Sequence, residues 1–82
     1  MEVPMKKLNE NILKIDATSG PTSQTREQII LYRQSGISEI AVILTNTKKI
    51  DDPDLVDLVE AETRDLLSSH GYDGENTTIT RE

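Results

Sequence analysis

The polar side chains best placed to do chemistry follow the most apolar stretch of the chain. The run Glu39–Thr45 is largely aliphatic, and the segment Asn46–Asp52 that follows it carries amide, hydroxyl, amine and carboxylate groups. Such a run is typical of a buried central strand in a parallel sheet. Because ligands of open α/β sheets bind at the carboxyl ends of the strands, we expect any ligand site to lie at Asn46–Asp52.

The acidic residues that end this segment raise two alternatives, a divalent-cation site and a helix start. Asp51, Asp52 and Asp54 lack the glycine and the distal glutamate of a calcium-binding loop. Asp52 followed by Pro53 is instead typical of an N-cap and the first residue of a helix. The chain also has no cysteine for a thiolate zinc site. The sequence therefore predicts no metal site.

A histidine near two serines raises the alternative of a nucleophilic set. His70 follows Ser68 and Ser69 and precedes Asp73. Residues this close together at a helix end do not assemble a triad, and a cation at this position suits the helix dipole. We therefore predict no catalytic residue.

A weak anion site is the remaining candidate. Gly20 precedes the free amides of Thr22 to Gln24 at a predicted helix start, and Lys48 and Lys49 lie close enough in the expected fold to assist. Loops of this kind commonly bind only water, and two lysines on a surface are commonly just solvated. The sequence therefore predicts no cofactor.

Length, composition and charge exclude several classes of protein. The chain has 82 residues, enough for one domain, and a net charge of −6. Residues 1–50 carry seven Lys or Arg against five Asp or Glu, whereas residues 51–82 carry two against ten. Such an acidic surface repels phosphates, so we expect no nucleic-acid partner. Since no stretch resembles a signal peptide or a membrane span, we expect a soluble, cytoplasmic protein without a membrane partner.

Hydrophobic periodicity predicts the first strand and the first helix. Asn11–Ala17 alternates as a strand, with Leu13 and Ile15 on one face and with Ile12, Lys14 and Asp16 on the other. A helix then begins near Gln24, with Thr22 or Ser23 as N-cap, and ends at Gly36. Its apolar side is predicted to contain Ile29, Ile30 and Tyr32.

The second half of the chain predicts one more helix and one more strand. In the central strand Ile40, Val42 and Leu44 are expected to face the helices. The second helix is predicted from Pro53 to about Ser69, closed by His70 and Gly71. Its expected apolar residues are Leu55, Leu58, Val59, Thr63, Leu66 and Leu67, with Asp57, Glu60 and Arg64 on the opposite side. Thr77–Arg81 is predicted as a short third strand.

These elements predict an α/β fold of order β-α-β-α-β, with a three-stranded parallel sheet and both helices on one face. This is a Rossmann-like half of a doubly wound domain. We assign residues 10–82 to this single domain and residues 1–9 to an N-terminal arm. The other sheet face would present Ile12, Lys14, Ala41, Ile43, Thr78 and Thr80. We expect the arm to cover this face, a homodimer to form through it, or its polar residues to make it tolerable.

One long segment identifies a family that the chain resembles. Asp16–Leu31, which reads DATSGPTSQTREQIIL, closely resembles the strand-loop-helix segment of the GTP-binding domain in the elongation factor Tu family of translational GTPases. The resemblance continues, without an insertion, through Arg33–Ile37, Asp51–Asp52, Leu58–Glu60, Glu62, Arg64 and Leu66–Ser68, and it reaches Gly74–Arg81. It covers nearly all of residues 10–82.

The resemblance implies the second half only of that domain, namely its fourth to sixth strands and the two helices between them. The phosphate loop and both switch segments would lie outside this chain, and no Gly-x-x-x-x-Gly-Lys sequence followed by Ser or Thr is present. We therefore expect a non-enzymatic fragment or engineered derivative. The alternative of a partial GTPase that needs its missing half in trans stays open.

The guanine-reading motif of the family, Asn-Lys-x-Asp, falls at the end of the central strand. In the ungapped register its four positions hold Thr45, Asn46, Thr47 and Lys48, and a shift by one residue that matches Asn46 places Lys49 at the aspartate position. The aspartate of the motif accepts two hydrogen bonds from the base, whereas lysine offers only donors. The resemblance therefore implies that nucleotide binding is lost.

A retained partner surface is the alternative function. In the family, the helix equivalent to residues 53–69 belongs to the surface that meets elongation factor Ts and the ribosomal stalk. The corresponding side chains here would be Asp57, Glu60 and Arg64. The resemblance thus implies a translation-related interaction module as an alternative to a fold without a partner.

Overall fold

The computed structural model describes residues 11–82, so the predicted arm at residues 1–9 lies outside the described part. The elements, in chain order, are β1 (Ile12–Asp16), α1 (Ser23–Gln34), β2 (Ala41–Thr45), a 3-10 turn (Thr47–Lys49), α2 (Pro53–Ser69) and β3 (Ile79–Arg81). The three strands form one parallel sheet in the order β1-β2-β3. The predicted β-α-β-α-β fold is confirmed.

Each helix begins and ends at signals that are local in the sequence. Thr22 caps α1, and its side chain and that of Thr25 each accept a hydrogen bond from the main-chain amide of the other. At α2 the Asp52 carboxylate accepts a bond from the Asp54 amide at 3.0 Å, and Pro53 is the first helical residue. Gly36 and Gly71 follow the helix ends with φ values of +81° and +92°, a backbone conformation that glycine adopts without steric cost.

Alternation along the strands buries one face of the sheet. Leu13 and Ile15 of β1 and Val42 and Leu44 of β2 are each at most 4% exposed. Their neighbours on the other face, Ile12, Ala41, Ile43 and Thr45, are only half-buried, and Lys14 is exposed. The buried strand residues form one cluster with residues from both helices, so both helices cover the same face.

Helix α2 packs Val59, Thr63 and Leu67 into the core as predicted, but two of the residues predicted with them lie outside it. Val56, Val59, Thr63 and Leu67 point into the core, whereas Leu55 and Leu58 are 51% and 54% exposed. The prediction that Leu55 and Leu58 belong to the core is therefore wrong. Residues 56, 59, 63 and 67 are three or four apart and so form the side of α2 that contacts the sheet. Residues 55 and 58 lie on a neighbouring side of the helix.

Two polar side chains are built into this core. The Thr63 hydroxyl, which is fully buried, donates to the Val59 carbonyl at 2.8 Å and so has a hydrogen-bond partner. The buried Tyr72 donates through its hydroxyl to the Ile37 carbonyl at 2.7 Å. Burial raises the pKa of Tyr72 despite the nearby Arg33 guanidinium, which lies 5.7 Å from the ring centre. The Tyr72 bond ties the segment after α2 to the loop after α1.

Candidate functional site

The carboxyl edge of the sheet is where a ligand of an α/β fold is expected, and three strand ends meet there. β1 ends at Asp16, β2 ends at Thr45, and the chain beyond β3 reaches Glu82. The Ala17 amide donates to the Thr45 carbonyl at 2.9 Å, and the Glu82 amide donates to the Leu44 carbonyl at 2.8 Å. The edge is thus held together by main-chain bonds beyond the strands themselves.

Asp16 is the centre of the hydrogen bonds at this edge. Its Oδ1 accepts bonds from the Thr18 amide at 2.9 Å and from the Thr18 hydroxyl at 2.6 Å. Its Oδ2 accepts a bond from Asn46 Nδ2 at 3.1 Å. The Thr18 hydroxyl is the main reason that the pKa of the Asp16 carboxyl lies below its usual value, with the Thr18 amide, Asn46 and Lys49 adding to the effect. Asp16 is therefore an ionised acceptor that is already engaged within the chain.

Asn46, the second of the four positions that the resemblance would align with the guanine motif, is oriented toward β1. It has φ +59° and ψ +26°, the left-handed conformation that asparagine tolerates better than most residues. This conformation accompanies the bond from its side-chain amide to Asp16. The amide group of Asn46 is thus occupied in joining the ends of β1 and β2.

The neighbouring threonines are occupied as well. The Thr45 hydroxyl donates to the Ile15 carbonyl at 3.4 Å. The Thr47 amide donates to the Glu82 carbonyl at 2.9 Å, and the Thr47 hydroxyl donates to the same oxygen. Three of the four guanine-motif positions therefore serve contacts between strand ends.

Lys48, the fourth position, lies exposed in the 3-10 turn beside Lys49. An ammonium group has three donors and no acceptor, so Lys48 cannot accept bonds from the donor edge of guanine. Guanine seated here would leave its donors unmatched, at a cost of roughly 1–3 kcal/mol for each donor that is buried.

The helix start near Gly20, considered as a weak anion site, has a carboxylate close by. Gly20 has φ +73°, and Glu62 Oε1 lies 3.8 Å from the position that a Cβ on Gly20 would take. The Thr25 amide at this start already donates to the Thr22 hydroxyl at 3.3 Å. The nearby negative charge works against a bound anion.

The residues of the predicted partner surface face β3 and the loop before it. Arg81 Nη2 lies 2.7 Å from Asp57 Oδ1 and 2.8 Å from Glu60 Oε1. Arg64 Nη2 lies 3.0 Å from Glu60 Oε2. Burial alone would raise the pKa of Glu60, but hydrogen bonds from Arg81 and Arg64 outweigh it and lower that pKa. Asp57, Glu60 and Arg64 are therefore part of the packing of α2 against β3.

Arg64 has a second role in the same region. Its Nη1 donates to the carbonyl oxygens of Gly74, Glu75 and Thr77 at 2.8, 3.0 and 2.9 Å. One guanidinium thus holds the loop that leads into β3. No local pattern in the sequence marks this link, because the donor and its acceptors are ten or more residues apart.

The outer surface of α2 presents two leucines in an acidic setting. Leu55 and Leu58 are three residues apart and so lie on one side of the helix, and each is about half exposed. Asp51, Asp54 and Glu62 nearby in sequence are exposed carboxylates. Sequence reasoning missed this surface because it assigned both leucines to the core.

The acidic and histidine clusters are explained by local structure. Asp52 caps α2, and among residues 11–82 no group of three or more His, Asp or Glu side chains is arranged to hold a metal ion. His70 Nδ1 lies 3.0 Å from the Leu66 carbonyl, the Ser69 hydroxyl donates to the Asp65 carbonyl at 2.8 Å, and Asp73 accepts from Asn76 at 2.8 Å. These groups are engaged separately and do not form a nucleophilic set.

Comparison with known families and a search for membrane spans add two findings. No protein-family model matches this chain. Neither helix in the described part of the chain has the length and apolar character needed to cross a bilayer.

Proposed function

We propose that this chain is a non-enzymatic α/β module, related to the second half of the GTP-binding domain of the elongation factor Tu family, in which nucleotide binding has been lost. The observation that carries the proposal is the bond from Asn46 to Asp16, made by a residue in the left-handed conformation. Through this bond the Asn46 side chain joins the ends of β1 and β2, so it has a structural role in place of contact with a nucleotide. Lys48, which offers donors where the family has an acceptor, supports the same conclusion.

Titration with GDP and GTP in the presence of Mg²⁺, followed by calorimetry and by amide chemical shifts, tests the proposal. We expect any binding to be weaker than about 1 mM, which corresponds to about −4 kcal/mol. Micromolar binding by the chain alone would overturn the proposal.

A matched variant shows how much of the loss of nucleotide binding is due to positions 45–48 and how much to the rest of the chain. The triple change Thr45→Asn, Asn46→Lys and Lys48→Asp restores the family motif in the ungapped register. If shifts then appear at β2 on addition of GDP, the four positions account for much of the loss. If none appear, the missing phosphate contacts dominate, because those contacts supply much of the affinity for a nucleotide.

Our second candidate is an interaction module that uses the outer surface of α2, and the exposure of Leu55 and Leu58 favours it. Exposed apolar side chains bordered by carboxylates fit a partner segment with apolar residues flanked by Lys or Arg. The resemblance suggests a partner of the translation machinery, such as an elongation factor Ts-like protein or the ribosomal stalk.

Binding of elongation factor Ts, measured by pull-down and by titration, tests this candidate. The informative variants are Leu58→Ser and Glu62→Lys, because both side chains are exposed. Reversal of Glu60 is unsuitable, since Glu60 holds Arg81 and Arg64 and its loss would disturb the fold. Binding that survives both variants would exclude the α2 surface as the contact.

A further inference from the structure

The outer edge of β1 presents main-chain groups to the surface. In a parallel sheet, successive residues of a strand direct their amide and carbonyl groups to alternate sides. The Ala41 amide donates to the Asn11 carbonyl and the Ala17 amide donates to the Thr45 carbonyl, both at 2.9 Å, so odd-numbered residues of β1 pair with β2. Ile12, Lys14 and Asp16 therefore direct their main-chain groups away from the sheet.

Some of these outward groups already have partners. The Ile12 carbonyl accepts a bond from the Tyr32 hydroxyl at 3.4 Å. The Asp16 carbonyl accepts from the Ser19 and Gly20 amides at 3.0 and 2.9 Å. The Lys14 carbonyl and the amides of Lys14 and Asp16 have no partner within residues 11–82. An edge with such groups is a template for pairing with another strand.

A groove runs along this edge and gives room for a second strand. Its volume is about 550 Å³, and it lies between β1 and the first turns of α1. Leu13 and Ile15 form its apolar side, and Gln24, Thr25 and Gln28 form its polar side. An added strand would extend the sheet and lay its own side chains along this groove.

The exposed side chains of β1 carry opposite charges two residues apart. Lys14 and Asp16 both lie on the sheet face that the helices leave open. A carboxylate offers about four acceptor positions, and Asp16 uses three of them, two on Oδ1 and one on Oδ2. One position on Asp16 Oδ2 thus remains for a further donor.

We propose that two copies of the chain pair through their β1 edges, antiparallel and centred on Ile15, to form one six-stranded sheet. In this two-fold arrangement Lys14 of each copy lies directly opposite Asp16 of the second copy, which gives two ion pairs. Each Asp16 amide donates to the Lys14 carbonyl of the other copy, whereas the Lys14 amide stays with water, because the Asp16 carbonyl already accepts from the Ser19 and Gly20 amides. The two Ile15 residues face each other across the two-fold axis through their main chains, while their side chains stay in the two separate cores.

Charge selects this register over the neighbouring ones. A pairing centred on Lys14 would place the two lysines directly opposite each other, which is destabilising. A pairing centred on Leu13 would leave Lys14 opposite Ile12 of the second copy. The Ile15-centred register is the one that matches opposite charges. The β3 edge offers only three residues, so it is a poorer template.

The contact involves few residues, so the association is weak and reversible. It also depends on salt, because the ion pairs are exposed and screened. This edge pairing differs from the pairing through the open sheet face that the sequence suggested. It adds a partner beyond the proposed function, since it does not depend on the fate of the nucleotide site.

A charge-swap experiment, read by sedimentation at rising protein concentration in low salt, tests the proposal. We expect wild-type chains to dimerise reversibly, and Lys14→Asp and Asp16→Lys to stay monomeric by themselves. A mixture of these two variants restores opposite charges at both contacts, so it should form a heterodimer. Lys48→Asp makes the same charge change outside β1, in the turn after β2, and should dimerise like the wild type.

The outcomes decide between specific pairing and a general effect of charge. Monomeric wild type at every concentration would overturn the proposal, as would a mixture that associates no better than its components. Equal weakening by Lys48→Asp would also overturn it. Because Asp16→Lys removes bonds to Thr18 and Asn46, a second test uses the wild type. A mixture of labelled and unlabelled chains should show an intermolecular nuclear Overhauser effect between the two Ile15 Hα atoms.

Discussion

Arg64 approaches Gly74 twice, once through its side chain and once through its main-chain carbonyl. Arg64 Nη1 donates to the Gly74 carbonyl at 2.8 Å, and the Arg64 carbonyl oxygen lies 2.0 Å from the position that a Cβ on Gly74 would take. The side chain of Arg64 therefore holds the loop before β3, and the backbone of α2 requires that the loop residue be glycine. This pair fixes the path from α2 into the last strand.

We predict that Arg64→Met destabilises the fold by about 2–3 kcal/mol, since the carbonyls of Gly74, Glu75 and Thr77 lose a charged donor. Methionine keeps the apolar stem, so the change isolates the guanidinium. Urea unfolding gives the free energy, and the exposed Arg26→Met is the matched control, expected within about 0.5 kcal/mol of wild type. Equal stability of the two variants would show that the three bonds contribute nothing.

We predict that Gly74→Ala is more harmful than Gly36→Ala. At Gly74 the added methyl group would meet the Arg64 carbonyl, so the loop must move away from α2 and β3 loses its support. At Gly36 the space is open within 4 Å, and the cost is that of alanine at a φ of +81°, about 1–2 kcal/mol. Thermal unfolding of the two variants measures the order, and a reversed order would contradict the close approach at Gly74.

We predict opposite outcomes for two identical substitutions in α2. Leu67→Ala should cost about 2–5 kcal/mol because Leu67 is fully buried and leaves a cavity. Leu58→Ala should change stability by no more than about 0.5 kcal/mol because Leu58 is about half exposed. Urea unfolding measures the free energy of unfolding of both variants, fitted with one common dependence on denaturant concentration. A large loss of stability in Leu58→Ala would mean that the Leu58 side chain packs against other residues in solution and is not exposed.

These helical positions also show what the sequence can predict. The ends of α2 follow from Asp52 and Pro53 at one end and from Gly71 at the other, and each of these signals acts through its own neighbours. The buried face follows only in part: Val59, Thr63 and Leu67 are predicted correctly, but helical spacing does not say on which side of them the contact with the sheet ends. Leu55 and Leu58 are as apolar as the residues beside them, yet the sheet contact takes Val56 in their place and keeps Thr63, whose hydroxyl bonds within the helix.

At the candidate site, too, some features follow from the sequence and others do not. The position of Asn46 and Lys48 at the carboxyl edge follows from the strand pattern and the parallel topology. The engagement of Asn46 with Asp16 does not, because it depends on a left-handed backbone and on two residues thirty positions apart. The link between Arg81 and Glu60, twenty-one positions apart, likewise leaves no local pattern.

Finally, we predict that the Asp16 carboxyl makes the fold acid-sensitive through Thr18 more than through Asn46. Its pKa is lower in the folded chain than in the unfolded chain, where it is about 3.9. Between these two values the unfolded state binds more protons, so the stabilisation from Asp16 is present above about pH 4 and is lost as the pH falls through the folded value.

Carboxyl ¹³C shifts measure the pKa of Asp16 in the wild type and in two variants, Thr18→Ala and Asn46→Gly. Glycine keeps the left-handed conformation at position 46, so this variant removes only the amide bond. The pKa should rise more in Thr18→Ala, because the Thr18 hydroxyl is the main cause of the shift. A larger rise in Asn46→Gly would instead identify the link between β1 and β2 as the main stabiliser of the charge.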